Sequence, residues 1–132
     1  MFKKIIVVGV LSIALPLSVL ADSCPLSSSL SMSGGYVVGV DASGYSYKSL
    51  LPYLNHNPAN SNFFTVLIRP AGSLGSTLVI GNPHCHYLES DKTAFTLVSN
   101  ALVTPSGNNW EQHGPWAGCD SNAHIPAQCL YQ

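Results

Sequence analysis

Along residues 26–131 the apolar positions come in short runs broken by serine, threonine, asparagine, glycine and proline, and where a period shows it is two. Leu26, Leu30 and Met32 alternate with serines and predict a first, half-buried strand, which Gly34-Gly35 ends. Residues 36–40 read as a second strand, 41–44 as a tight connection, and Tyr45, Tyr47 and Ser49 as one face of a third. Residues 51–61 lose all periodicity around Pro52, Asn55, Asn57-Pro58 and Asn60, which predicts a loop. The run 63–69 is the most continuous apolar stretch and is expected to be a central strand buried on both faces. A turn over 70–75 leads to a strand over 76–80, interrupted by Gly81-Asn82-Pro83. Residues 84–89 and 93–98 then form a hairpin about Ser90-Asp91, with Glu89 opposite Lys92 as a cross-strand ion pair. Residues 101–103 continue its second arm or start a short strand. After Pro105 the chain reads as loop, with a closing strand only at 127–131.

Nine prolines and eleven glycines leave few long uninterrupted segments, and helix signals are nearly absent. The expectation is an all-β domain, a single antiparallel β-sandwich or flattened barrel, with no internal repeat and no second domain. Tyr36, Tyr45, Tyr47, Tyr53, Tyr87 and Tyr131 are read mostly as core residues with a polar tip.

Residues 1–21 stand apart from this pattern. A basic start, Lys3-Lys4, precedes an apolar run from Ile5 to Leu20 that contains Pro16, and Ala21 provides a small residue at the cut. That is the build of a secretory signal peptide, and the run is short for a membrane span of roughly 20 residues. Lipidation at Cys24 is disfavoured because Asp22 stands where small apolar residues are wanted. Cleavage leaves one domain, 22–132, with no stable membrane anchor, periplasmic or secreted.

All four cysteines, Cys24, Cys85, Cys119 and Cys129, lie after the cut, and an even count in a small exported chain reads as two disulfides. Three pairings exist. Spacing favours Cys119 with Cys129 across a local loop, leaving Cys24 for Cys85. Without Lys3 and Lys4, the cations are Lys48, Arg69 and Lys92 against six acids, a net charge of 3 − 6 = −3. No basic patch is present to neutralise phosphates, so a nucleic-acid partner is not expected.

Three chemistries bear on the remaining residues. His84 and His86 point to one face of a strand, opposite Cys85, and two imidazoles there suit Zn²⁺ or Cu²⁺ if a third ligand arrives. No second motif of fixed spacing completes them, so metal binding is the alternative reading. Hydrolysis finds no Gly-x-Ser-x-Gly elbow, no free thiol and no paired carboxylates in an evident cleft. The chain is therefore read as a non-enzyme without a cofactor. Recognition by exposed aromatics is favoured: Trp110 and Trp116 lie among Asn109, Glu111 and His113 in a Gly/Pro/Asn-rich segment that suits a glycan or a partner protein. The opposing reading makes a tryptophan a plug for the core, and it is preferred for Trp110.

The order Cys24-Pro25, Cys85-x-Tyr87, Trp110, Cys119 and Cys129-Leu130-Tyr131 resembles a small exported proteobacterial family, domain of unknown function 3757. The resemblance covers the mature chain, departs near Asn55 and in the histidines around Cys85, and implies shape and compartment with no catalytic residue.

Overall fold

The two-residue period is clearest in the middle of the chain. Gly81, Pro83, Cys85 and Tyr87 are buried, while Asn82, His84, His86 and Leu88 are half-buried on the opposite face. The computed structural model describes residues 21–53, 56–70 and 80–132. It contains strands β1 (Ser31–Ser33), β2 (Tyr36–Val40), β3 (Ser46–Ser49), β4 (Asn62–Pro70), β5 (Gly81–Leu88), β6 (Ala94–Ser99), β7 (Glu111–His113) and β8 (Trp116–Asp120). All pair antiparallel in one sheet, in the order β1-β2-β3-β6-β5-β4-β8-β7. The turn Pro58–Asn60, just before β4, touches the turn Ser27–Ser29 and β1, so the sheet curls toward its own first edge. An all-β antiparallel domain with two disulfides is thus what the chain forms.

The inner face carries the core, with Val37, Tyr47, Val66, Cys85, Tyr87 and Leu97 among its fully buried members. No helix lies among the described residues to cover it. The segments 22–30 and 121–131 do so instead. Cys24 is bonded to Cys85 and Cys119 to Cys129, the pairing that spacing favours. Tyr87 donates its hydroxyl to the Pro25 carbonyl at 2.7 Å. Leu30 lies so close over β2 that a Cβ on Gly39 would come within 2.6 Å of its Cδ2, which is why that strand position has no side chain. Asp22 and Tyr131 exchange both backbone hydrogen bonds, closing these two segments on each other.

Several local expectations need correction. Leu26 is exposed and precedes the turn Ser27–Ser29, so the first strand is only Ser31–Ser33. Strand β4 is buried on its inner side, while Phe64, Thr65 and Leu67 are half-buried on the outer. Most of the expected strand 76–80 lies outside the described residues. Gly81-Asn82-Pro83 opens β5 instead of interrupting a strand; Pro83 sits beyond the last β5–β6 pair, His84–Val98, where no donor is needed on that side. Residues 127–131 form no strand: the turn Pro126–Gln128 leads to isolated bridges of Tyr131 with Asp22 and Pro105. Tyr45 points outward and is half exposed.

The largest difference is a repeat that the sequence hides. Residues 31–44 and 111–124, shifted by 111 − 31 = 80, carry the same strand–turn–strand–turn order. Gly34 and Gly114 both have positive φ in the first turn, and Gly44 and His124 both have it in the second. Gly44 N donates to Asp41 O as His124 N does to Ser121 O. Tyr45 N donates to Asp41 Oδ1 as Ile125 N does to Ser121 Oγ. Each hairpin ends the sheet with a three-residue, fully exposed edge strand, too short to template further pairing.

Asp41 also faces inward, where its Oδ2 accepts the Tyr47 hydroxyl at 2.9 Å, and Tyr47 in turn hydrogen-bonds Tyr131. Burial, and then Asp22 beside it, raise the Asp41 carboxyl above its ordinary value of 3.8. The folded state therefore holds this proton more tightly than the unfolded chain. Stability from this group is fullest below the ordinary value and is lost as pH rises through the raised one. Thermal melts of wild type and Asp41→Asn across about pH 3 to 7 should show the stability of wild type, relative to the variant, falling as pH rises. A difference independent of pH would refute the assignment.

Candidate functional site

The β7–β8 hairpin decides what the segment from Asn109 to Asp120 can do. Gly114-Pro115 makes the turn that faces His113 toward Trp116. Alternation then buries Ala117 and Cys119 and sends Trp116, Gly118 and Asp120 to the outer face. Cys119 is tied to Cys129, and β8 is paired along β4 from Ala117 to Asp120, so the platform under Trp116 is fixed on two sides.

A concavity of about 340 Å³ opens on this platform, lined by Leu67, Asn109, Glu111, His113, Trp116, Gly118 and Asp120. The Trp116 and His113 rings stack at 4.5 Å with 26° between their planes. His113 Nε2 lies 3.5 Å from Glu111 Oε2, and the Glu111 side chain is in open water. Asn109 is anchored by its Nδ2, which donates to the Gln128 carbonyl at 2.8 Å, so its Oδ1 is left to the surface. The result is an aromatic face bordered by two carboxylates and an amide oxygen. That set offers stacking area and hydrogen-bond acceptors in one shallow place.

Of the five residues expected to bind, Asn109, Glu111, His113 and Trp116 are brought together here. Trp110 is not. It packs against the core, and its Nε1 donates to the Leu130 carbonyl at 2.8 Å, the plug that the opposing reading described. Asp120 and Leu67 join the site from outside the expected set. His113-Gly114-Pro115-Trp116 is the legible signal for Asp120, since a two-residue turn starting with glycine joins strands and sets which residues of β8 face outward.

The same scaffold recurs at the other end of the sheet with different chemistry. Ser31, Val38 and Val40, at the repeat positions of Glu111, Gly118 and Asp120, line with Ser29 a concavity of about 790 Å³. There the aromatic position is Tyr36, and Lys48 Nζ lies 4.4 Å above its ring. The carboxylates belong only to the Trp116 end.

His84 and His86 do share the outer face of β5, as alternation requires. His84 Nδ1 is 3.0 Å from the Asn82 carbonyl, and His86 Nδ1 is 2.9 Å from Thr96 Oγ1. Burial foremost, with Arg69 adding repulsion, lowers both below the usual imidazole range; His84 also pushes His86 down. Both therefore stay neutral, the form that binds metal. Among the described residues, however, the one group of three convergent ligand-type side chains is His56, Glu89 and Asp91. Glu89 does not pair with Lys92: its Oε2 takes the Tyr53 hydroxyl and faces His56 Nδ1 at 2.9 Å.

Compared with known proteins, the chain matches no family, no characterised protein and no solved structure.

The two tryptophans should separate in a stability assay. Trp110→Ala removes core packing and a part-buried hydrogen bond and should cost about 2–4 kcal/mol in denaturant unfolding. Trp116→Ala should cost less than about 1 kcal/mol. Equal losses would place both rings in the core.

Proposed function

We propose that this chain is an exported, non-enzymatic binding protein that takes a glycan on the Trp116 concavity. The observation that carries the reading is the stacked Trp116–His113 pair with Asn109, Glu111 and Asp120 around one opening. A sugar ring presents a flat apolar face of C–H groups and a rim of hydroxyl donors. Stacking on the indole covers the first, and the carboxylates and amide oxygen accept from the second. The small volume suits one or two sugar units better than a protein epitope of standard size. A glycosidase needs a carboxyl sheltered from water as its acid; Glu111 and Asp120 are both exposed.

Export is supported by two closed disulfides with no free cysteine, bonds that persist in an oxidising compartment. No helix among the described residues is long and apolar enough to cross a membrane. The signal peptide over 1–21 and membership of the domain of unknown function 3757 family are parts of the same proposal. The alternative, a periplasmic metal-binding protein using His84 and His86, has one observation in its favour: His86 Nε2 is buried without a hydrogen-bond partner.

Wild type passed over an array of neutral and N-acetylated oligosaccharides should be retained, and Trp116→Ala should lose at least about tenfold in affinity at unchanged melting temperature. Wild type that binds no saccharide sinks the reading. Retention unaffected by Trp116→Ala moves it to another surface.

A further inference from the structure

The turn between β5 and β6 meets Tyr53 and His56 at a second cluster, far in sequence from the Trp116 platform. Glu89 N donates to Thr93 O and Lys92 N to Glu89 O, which closes the turn with Lys92 at φ 73°. Asp91 Oδ1 accepts from Thr93 N at 2.9 Å, and this bond, with a second from the Thr93 side chain, holds the Asp91 carboxyl below its usual range. The Glu89 side chain is 10% exposed and His56 is 32% exposed, so the cluster is half sheltered from water.

Tyr53 sets the geometry. Its backbone N–H donates to the Gly35 carbonyl, its ring packs on Phe95 at 4.7 Å, and its other contact is the His56 ring, stacked at 4.4 Å. Its hydroxyl donates to Glu89 Oε2. Burial and then Glu89 raise the Tyr53 hydroxyl, which stays a proton donor. An imidazole and a carboxylate are thus both oriented by one buried ring that is not itself a ligand, which is how outer residues position metal ligands.

We infer that His56, Glu89 and Asp91 form a divalent transition-metal site, with zinc the ion their chemistry suits best. One ligand atom from each lies within 4.8 Å of the others. Around a tetrahedral ion with bonds of about 2.1 Å, ligand atoms stand about 3.4 Å apart, so closure requires side-chain movement of roughly an ångström. Two carboxylates this close repel each other, and a dication removes that repulsion. One imidazole nitrogen with two carboxylate oxygens favours zinc or its neighbours over calcium or magnesium, which prefer all-oxygen shells. Three protein ligands leave a fourth position. A cavity of about 350 Å³ lined by Tyr53, His56, Thr93 and Phe95 lies beside the cluster and offers space for a water or an incoming donor there.

Zinc chloride titrated into the purified protein by calorimetry tests this. At about pH 7.5 one ion per chain should bind. His56→Ala, Glu89→Gln and Asp91→Asn should each lose at least about tenfold in affinity, while His84→Ala and His113→Ala keep it. Asp91 is exposed on its turn, so Asp91→Asn with an unchanged melting curve separates loss of a ligand from loss of the fold. No uptake by wild type overturns the inference. So does uptake that survives His56→Ala and Asp91→Asn, or that disappears in His84→Ala or His113→Ala instead.

Discussion

The rest of this fold depends on the tie between Cys24 and Cys85, backed by the Tyr87 hydroxyl on the Pro25 carbonyl. A single sheet must bury one apolar face against something, and usually a helix layer or a second sheet supplies it. Here irregular chain before β1 and after β8 does the covering, and irregular backbone has no ladder of its own to hold it in place. The 61-residue separation of Cys24 and Cys85 removes about 4 kcal/mol of chain entropy from the unfolded state. The 10-residue Cys119–Cys129 loop contributes about 3. With both segments fastened, Asp22 and Tyr131 can close the remaining gap through their own backbone bonds. Pinning the cover also pins what stands on the sheet: Cys129 holds β8, and β8 carries Trp116.

Legibility in the sequence tracks how each feature is encoded. Strands β2, β3, β5 and β6 bury one face, so their composition shows a period of two and their positions can be read. The edge strands β1 and β7 are exposed at all three residues; the alternation around Met32 marks β1 but overstates its length and burial, and no periodicity marks β7. For β7 and β8 the difficulty is one of weighting: Gly114-Pro115 reads as loop chemistry where it is hairpin chemistry. The repeat stays hidden because the chain keeps its backbone features and changes the residues. Gly34 and Gly114 agree, but Asp41 is answered by Ser121 and Gly44 by His124, where a side chain tolerates φ 61°. His56, Glu89 and Asp91 lie in two segments that only the tertiary fold joins, through the Tyr53 ring. Nothing in a linear reading places them together.

The candidate site is more legible than its neighbours. A tryptophan beside histidine, glutamate and asparagine signals a binding surface, and the fold assembles four of the five residues expected there. The exception is physical. Trp110 has a core to fill and a carbonyl to reach, and Trp116, on the far side of an exposed edge strand, has neither. The opposite end of the sheet sharpens the point. There the same hairpin presents Tyr36 under Lys48 above valines, so the scaffold is shared and the carboxylate rim is a choice made at one end only.

The most direct measurement of that choice is an amide NMR titration of the folded protein with the neutral and N-acetylated oligosaccharide pool. Shifts should concentrate at Asn109, Glu111, His113, Gly118, Asp120 and the Trp116 indole N–H, with the Tyr36–Lys48 end silent. Shifts centred on Tyr36 and Lys48, or none at the Trp116 indole, would contradict the account.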